Sequence, residues 1–256
     1  MDQVTEEDEN ASLVAFVVLC RSILSKMKKI VALTGAGISA ESGLATFRGA
    51  DGLWEGHRIE DVASPEGWAR NPSLVLDFYN QRRRSAREAE PNAGHQALVE
   101  LAQDFEVVII TQNVDNLHER AGSQQVIHLH GQLFEARSSY FDQLVYPMES
   151  DLIELGDLCE KGYQLRPNIV WFGEQVPLME RAIEEAATAD AFLVIGTSLQ
   201  VYPAASLVHY TRPDCPIYII DPNQPAVSGR PSLHFVPEPA TTGVTRVARE
   251  LREQLV

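Results

Sequence analysis

The chain has 256 residues and a formal net charge of −15 at pH 7, which excludes the basic footprint of a general nucleic-acid-binding protein. Hydrophobic residues make up 45% of the sequence and charged residues 22%, as in ordinary globular proteins, and no apolar run is long enough to cross a bilayer. The three cysteines show no paired spacing, so we expect a reducing, cytoplasmic location. We also expect a monomer without a membrane or nucleic-acid partner.

Residues 1–28 form an N-terminal extension, which we predict to be helical. Its apolar stretch, Leu13–Cys20, follows an acidic run at residues 6–9. A secretory signal would carry basic residues there, so the pattern favours an amphipathic helix. The remainder, residues 29–256, is predicted to be one large domain with a small inserted module.

A glycine turn follows the first predicted strand, Ile30–Leu33. Gly35 allows a tight turn, and Gly37 allows the backbone to approach a diphosphate. Ala40, in the third position, lets a helix begin against the sheet with its N–H groups aimed at the anion. This G-x-G-x-x-A spacing alone fits a purely structural turn equally well.

Four short apolar runs are each followed at once by small or polar residues. Strands buried on both faces have this pattern, which predicts a parallel, Rossmann-like sheet with helices on both faces. Ligands bind beyond the carboxyl ends of such strands, so the four polar clusters should converge on one cleft. The runs are Ile30–Leu33, Val107–Ile110, Phe192–Ile195 and Ile217–Ile220.

Two stretches interrupt this alternation and are assigned to a smaller module over the cleft, at about residues 49–91 and 134–167. The first is rich in helical pattern, and Asn71-Pro72 is typical of a helix start. Within the second, residues 137–167 are acidic and are expected to be irregular. The Rossmann-like part then comprises about residues 29–48, 92–133 and 168–256, with helices at Met179–Ala189 and Val244–Gln254.

Five motifs occur in an order and spacing that resemble the sirtuins, the NAD-dependent protein-lysine deacylases. The resemblance covers roughly residues 29–250. The motifs are the run Gly35–Arg48, Gln112-Asn113-Val114-Asp115 (Q-N-x-D), His128-Leu129-His130-Gly131 (H-x-H-G), Val170-Trp171-Phe172-Gly173-Glu174, and Gly196-Thr197-Ser198 (G-T-S).

The resemblance implies three catalytic residues. His130 would be the base that deprotonates a ribose hydroxyl, a task that suits an imidazole near neutral pH. Asn113 and Asp115 would hold the nicotinamide carboxamide. Without the motif, a structural role would be the better interpretation of either histidine, His128 or His130.

The same resemblance implies NAD as cofactor, with Phe47 shielding the reacting ribose and Arg48 contacting the cofactor. Asp221 stands where the family usually has asparagine, so the assignment of this loop to adenosine is weaker. The implied cofactor-binding residues are Gly35, Ala36, Gly37, Ser39, Ala40, Glu41, Thr46, Phe47, Arg48, Gln112, Asn113, Asp115, Gly196, Thr197, Ser198, Asp221, Asn223 and Ala240.

Tyr79 and Arg82 lie three residues apart on a predicted helix, and therefore on one face. Arginine binds a carboxylate through a planar fork, and a phenol can add a third hydrogen bond. The pair resembles that of the sirtuin subgroup that removes succinyl, malonyl and glutaryl groups, and Ala63 matches a small residue that leaves room there. Arg82 could also belong simply to a basic helix face.

An extended peptide substrate is implied to pair with the backbone of three residues, Val170, Phe172 and Gly173. Acylated lysine in a protein or peptide is the expected partner.

Most sirtuins bind structural zinc through two C-x-x-C pairs in the small domain. Between Gly131 and Pro167 this chain has one cysteine, Cys159, and no histidine. Tetrahedral zinc needs four such ligands, so we predict no zinc and no other metal. Apolar contacts should then hold the small module, made by Phe134, Tyr140, Leu144, Tyr146, Leu152, Leu155 and Tyr163.

Three other classes compete with the deacylase. A protein mono-ADP-ribosyltransferase would use the same NAD cleavage. A dinucleotide-sensing protein would bind without turnover, which the presence of His130, Asn113 and Asp115 argues against. A hydride-transferring dehydrogenase is what the glycine turn alone would suggest.

Overall fold

The structure is a computed structural model that describes residues 27–46, 54–225 and 232–255. The predicted N-terminal helix, Phe47 and Arg48 lie outside these residues. Within the described ranges, no helix has both the length and the apolar character needed to span a membrane.

The main sheet has six parallel strands in the order β3-β2-β1-β7-β8-β9. The four predicted strands are confirmed as β1, β2, β7 and β8, and the two edge strands were not predicted. The strands are β1 (Lys29–Thr34), β2 (Glu106–Thr111), β3 (Val126–His128), β7 (Ala191–Ile195), β8 (Ile217–Ile220) and β9 (Leu233–Val236).

Helices cover both faces of this sheet, as the apolar runs predict. On one face, α5 (Ala93–Leu101) and α8 (Ala240–Leu255) pack their apolar sides against the strands. On the other face lie α7 (Met179–Ala187) and a 3₁₀ helix (Ala204–His209). Burial on both faces explains why the central strands are almost entirely apolar.

The turn after β1 differs in detail from the expectation. The helix α1 (Ala36–Ala40) begins directly after Gly35, so Ala40 ends this helix instead of starting it. The Gly37 N–H donates to the Gly196 carbonyl at 2.8 Å. A Cβ on Gly37 would lie 2.6 Å from the Gly196 Cα. Glycine is therefore required at residue 37 because two loops of the protein touch there.

The small module combines helices with an antiparallel sheet in the order β5-β4-β6. Residues 137–167, which we expect to be irregular, contribute a few paired residues to this sheet and otherwise form turns and loops. The elements are α2 (Ile59–Val62), α3 (Pro65–Arg70), α4 (Pro72–Glu88), α6 (Leu117–Ala121, after β2), β4 (Gly131–Ser138), β5 (Val145–Pro147) and β6 (Leu165–Ile169).

The longest helix of the module, α4, begins as predicted. The Asn71 side chain accepts a hydrogen bond from the Leu74 N–H at 3.1 Å, and Pro72 occupies the first helical position. Residues Val75, Phe78 and Tyr79 of this helix are buried. The helix thereby carries the predicted Tyr79–Arg82 pair on a rigid support.

The contacts that hold the module differ from the expected apolar set. Tyr140 is 67% exposed and Leu155 is 58% exposed, and both lie in loops outside the small sheet. Buried hydrogen bonds from α4 instead hold the loop that contains Asp151 and Ile153. The Asn80 amide exchanges two bonds with the Ile153 backbone, both 3.0 Å, and the buried Arg83 donates to the Asp151 carbonyl at 2.9 Å.

Candidate active site

A cavity of about 710 Å³ lies where the carboxyl ends of β1, β2, β7 and β8 face the small module. This volume is typical of small-molecule sites, which span roughly 300–1,000 Å³. The predicted site residues that line it are Gly35, Ala36, Gly37, Ser39, Thr46, Ala63, Tyr79, Arg82, Gln112, Asn113, Asp115, His130, Val170, Phe172, Gly173, Gly196, Thr197, Ser198, Asp221 and Asn223.

Of the predicted cofactor residues that the structure describes, three do not line this cavity: Ala40, Glu41 and Ala240. The Glu41 carboxylate accepts hydrogen bonds from the Thr241 N–H at 3.2 Å and from its hydroxyl at 2.9 Å. It therefore caps the first turn of α8. Ala240 is buried at the start of the same helix.

A buried polar network joins the first two motifs at the floor of the cavity. The Ser39 hydroxyl donates to Asp115 Oδ2 at 3.1 Å and accepts from Asn113 Nδ2 at 3.2 Å. Asp115 Oδ1 accepts from the Leu117 N–H at 3.1 Å. Burial raises the pKa of Asp115, although its hydrogen bonds with Leu117 and Ser39 oppose this. The network places an amide beside a carboxyl group in a nearly dry site.

His130 is held as a neutral base. Its Nδ1 lies 3.1 Å from the Gln112 carbonyl oxygen, which can only accept, so Nδ1 carries the proton. In the neutral ring Nε2 then keeps its lone pair. Burial lowers the pKa of His130, although the hydrogen bond with Gln112 opposes this. The imidazole is consequently uncharged at neutral pH and able to accept a proton.

His128 has the opposite character. Its Nδ1 faces the Asn113 carbonyl oxygen at 3.2 Å, and its Nε2 faces Glu119 Oε1 at 2.7 Å. Both partners are acceptors, so both nitrogens donate and the ring is an imidazolium. Burial lowers its pKa, but hydrogen bonding and charge attraction from Glu119 outweigh burial and raise it. His128 braces the Asn113 backbone and does not line the cavity.

A second series of buried hydrogen bonds holds the backbone of Asn113. The Thr34 hydroxyl donates to Thr111 Oγ1 at 2.9 Å, so it must accept from His118 Nε2, 3.0 Å away. Thr111 Oγ1 also accepts from the Asn113 N–H at 3.0 Å. His118 is 2% exposed, and burial lowers its pKa well below the usual value. The backbone of Asn113 is therefore fixed on both its N–H and its carbonyl.

The predicted acyl-recognition pair lies on the small-module side of the cavity. The buried Tyr79 hydroxyl accepts from Trp171 Nε1 at 3.1 Å, which leaves the phenol proton available to donate. Burial raises the pKa of Tyr79, so the phenol stays protonated. The Arg82 guanidinium lies over the Trp54 ring, 4.4 Å from its centroid, and donates to Glu55 Oε1 at 2.7 Å.

The segment expected to bind a peptide is anchored by residues that sequence reasoning missed. The Glu174 carboxylate accepts from the Trp171 N–H at 2.7 Å and from Arg166 Nη1 at 2.7 Å. The Phe172 N–H donates to the Ala63 carbonyl at 3.0 Å, so it is already used within the protein. Glu174 is the last residue of the fourth motif, Val170-Trp171-Phe172-Gly173-Glu174, a signal that could have identified it.

Trp54 and Glu55 were also missed, and no motif in the sequence marks them. Among the described residues, no group of three or more His, Cys, Asp or Glu side chains could hold a metal ion.

Comparison with known proteins agrees with this architecture. A model of the Sir2 family matches residues 35–203. An NAD-dependent protein deacylase of Helicobacter pylori is 60% identical over 196 residues, which span 77% of this chain and 85% of that protein. One from Bacteroides thetaiotaomicron is 48% identical over 236 residues, which span 90% of this chain and 99% of that protein.

Solved structures extend the similarity to the fold. A complex described as a Sir2 homolog with NAD aligns with a TM-score of 0.81 and 39% identity, covering 92% of this chain and 95% of that one. A complex described as Sir2, p53 peptide and NAD⁺ aligns with a TM-score of 0.69 and 30% identity, covering 92% and 97%.

The parallel sheet, the glycine turn and the cavity at the carboxyl ends of the strands are those of a dinucleotide-binding α/β protein. Within that class, the family is identified by the match over residues 35–203 and by the 60% and 48% identity to the two bacterial deacylases. The chain belongs to the Sir2 family.

Proposed function

We propose that this Sir2-family protein, an NAD-dependent protein deacylase, removes acetyl groups and also succinyl and malonyl groups from lysine side chains. The products would be nicotinamide and an O-acyl-ADP-ribose. The observation that carries the acyl specificity is the presence of Tyr79 and Arg82 in the same cavity as His130.

The cavity fits NAD in volume and in the chemistry of its lining. The buried Asn113 and Asp115 offer side-chain oxygens that can accept from the N–H groups of a nicotinamide carboxamide, while the Asn113 amide itself donates to Gly35 and Ser39. When bound, NAD supplies a ribose carbon that becomes electron-poor as the nicotinamide bond breaks and that an acyl oxygen can capture. The residues that would hold it are Gly35, Ala36, Gly37, Ser39, Thr46, Gln112, Gly196, Thr197, Ser198, Asp221 and Asn223.

His130 acts as the base in this proposal. Its Nε2 lone pair accepts a proton from a ribose hydroxyl, so that the oxygen can attack the acyl carbon. The Gln112 carbonyl fixes the required tautomer. Because burial lowers the pKa of His130, activity should persist below neutral pH and be lost only when the pH falls through that lowered pKa.

The acyl group would extend toward α4. A succinyl or malonyl chain ends in a carboxylate, which an arginine can bind through two parallel N–H groups. The protonated Tyr79 can donate a further hydrogen bond, and Ala63 leaves room beside it. An acetyl group is smaller and would occupy only the inner part of the same cavity.

The test is an acyl-peptide panel with NAD that compares succinyl, malonyl and acetyl lysine for the wild type and Arg82→Met. A hydrogen bond to a charged group contributes about 1.5–3 kcal/mol, so desuccinylation should fall about 10- to 100-fold. Deacetylation should change by less than about threefold. Arg84→Met is the matched control, because Arg84 lies on the same helix but is exposed and outside this cavity.

Equal losses of desuccinylation and deacetylation in Arg82→Met would contradict the assigned acyl specificity. Mass spectrometry of the peptide should show the loss of the acyl mass from lysine. A gain of the mass of ADP-ribose would instead identify a mono-ADP-ribosyltransferase.

A further inference from the structure

Arg82 already has a carboxylate partner within the protein. Its Nη1 donates to Glu55 Oε1 at 2.7 Å, and its side chain is only 10% exposed. The guanidinium is sandwiched against aromatic rings, 4.4 Å from the Trp54 centroid and 5.9 Å from that of Phe78. The Nε of Arg82 is buried without a hydrogen-bond partner among the described residues. Within the described part of the protein, the guanidinium therefore has a carboxylate partner at Nη1 and no hydrogen-bond partner at Nε.

Glu55 reaches this position from a strained turn. Trp54 and His57 exchange two backbone hydrogen bonds of 2.9 and 3.0 Å, which close a tight turn around Glu55 and Gly56. The φ angle of Glu55 is +49° and that of Gly56 is +81°. A left-handed conformation suits glycine or asparagine far better than glutamate. Residue 55 is thus kept as a carboxylate in a backbone conformation that disfavours it, which points to a role for the side chain.

The two kinds of acyl group make different demands on Arg82. An acetyl group brings no charge, so without Glu55 the bound complex would contain a buried and unpaired guanidinium, which is unfavourable. A succinyl or malonyl group brings its own carboxylate. That carboxylate cannot share the same face of the guanidinium with Glu55 without repulsion between the two negative charges.

We propose that Glu55 is a specificity-determining residue that occupies Arg82 in place of the substrate carboxylate and is displaced when a dicarboxylic acyl group binds. The inference rests on the dicarboxylic specificity proposed above. It explains how one cavity accepts both kinds of substrate: Glu55 neutralises Arg82 for acetyl-lysine, and the substrate neutralises it for succinyl-lysine. Glu55 lowers the affinity for the dicarboxylic acyl group because the two carboxylates compete.

Displacement of Glu55 is physically accessible. Its side chain is 31% exposed, so the carboxylate can turn toward water without being stranded in an apolar environment. It does not line the cavity itself and meets Arg82 from the side. The proton of Tyr79 remains as a further donor for the incoming carboxylate.

The test compares Glu55→Gln with the wild type on succinyl-lysine and acetyl-lysine forms of one peptide. Partly exposed ion pairs are weak, so removing the competing charge should lower the KM for the succinyl peptide about two- to fivefold, with kcat unchanged. The KM for the acetyl peptide should stay the same or rise. Calorimetric titration of each peptide without NAD should show the same change in Kd.

Two further variants complete the design. Glu55→Asn also removes the charge and suits the left-handed backbone, so it serves if Glu55→Gln folds poorly. Glu60→Gln removes one negative charge from the same region, where Glu60 lies beside the exposed Arg58, 3.5 Å away. This control should leave both KM values unchanged.

The outcomes separate this inference from the proposed function. If Arg82→Met abolishes desuccinylation but Glu55→Gln leaves the succinyl KM unchanged or raises it, Glu55 merely positions Arg82 and the competition is refuted while the acyl specificity stands. If the wild type does not remove succinyl groups and Arg82→Met leaves the activity on every peptide unchanged, both the proposed acyl specificity and the competition by Glu55 are refuted. A lower KM for the succinyl peptide alone supports the competition.

Discussion

His95 provides a sharp test of how burial sets the protonation states beneath the cavity. It is the third residue of α5 and 0% exposed, and its Nδ1 accepts a hydrogen bond from the Asn92 N–H at 3.2 Å. This contact completes a capping box, in which glutamine is an established alternative at the same position. His95→Gln should therefore keep the cap while removing a titratable group.

The magnitude follows from the pKa of His95, which burial lowers from 6.5 to about 4. In the unfolded chain the imidazole regains its ordinary pKa, so the unfolded state binds more protons below about pH 6.5. Folding stability is consequently present above that pH and is lost as the pH falls toward 4. Between pH 7 and pH 5, His95 alone should reduce the free energy of unfolding by about 2 kcal/mol.

The assay is urea unfolding followed by circular dichroism at pH 7, 6 and 5 for the wild type and His95→Gln. Other groups, His118 among them, also destabilise the protein in acid, so the informative quantity is the difference between the two proteins. That difference should move in favour of the variant by about 2 kcal/mol on going from pH 7 to pH 5. A constant difference between His95→Gln and the wild type across this range would refute the reasoning.

The remaining predictions concern contacts at the floor of the cavity. Glu119→Gln removes the partner that raises the pKa of His128. The variant should therefore lose about 1 kcal/mol of unfolding free energy below pH 6.5, and this loss should fade as the pH rises through the raised pKa of His128. Thermal unfolding at pH 6 and pH 9 checks this, and equal effects at both would contradict it. Gly37→Ala places a Cβ 2.6 Å from the Gly196 Cα, so it should destabilise the protein by about 1–3 kcal/mol and weaken NAD binding. Calorimetry measures both, and unchanged NAD affinity would contradict it.

The sequence predicts the central sheet because its strands are buried on both faces. The apolar runs in β1, β2, β7 and β8 leave little ambiguity. The edge strands β3 and β9 are short, and His234 of β9 faces solvent, so their patterns resemble those of loops. The small antiparallel sheet was missed because β5 has only three residues, two of them exposed, and because α4 holds the loop before β6 through hydrogen bonds from Asn80 and Arg83 that no periodicity reveals.

The residues of the site also fall into those that sequence motifs mark and those that only the structure reveals. Motif spacing brings Asn113, Asp115 and His130 to attention, and these side chains do line one cavity. Spacing cannot distinguish His128 from His130, because the difference lies in the partners that the fold supplies. Glu55 has no sequence signal, since its importance depends on a strained turn that brings it to Arg82 from 27 residues away.

The charges around Asn113 follow from hydrogen-bond direction alone. His128 meets two acceptors and must be charged, whereas His130 meets one and can remain neutral. His118 must donate to Thr34, because the Thr34 proton is committed to Thr111. One imidazolium thus fixes the Asn113 carbonyl, and one neutral imidazole supports the hydroxyl that fixes its N–H. Asn113 is thus held in place by one charged and one neutral histidine, neither of which lines the cavity.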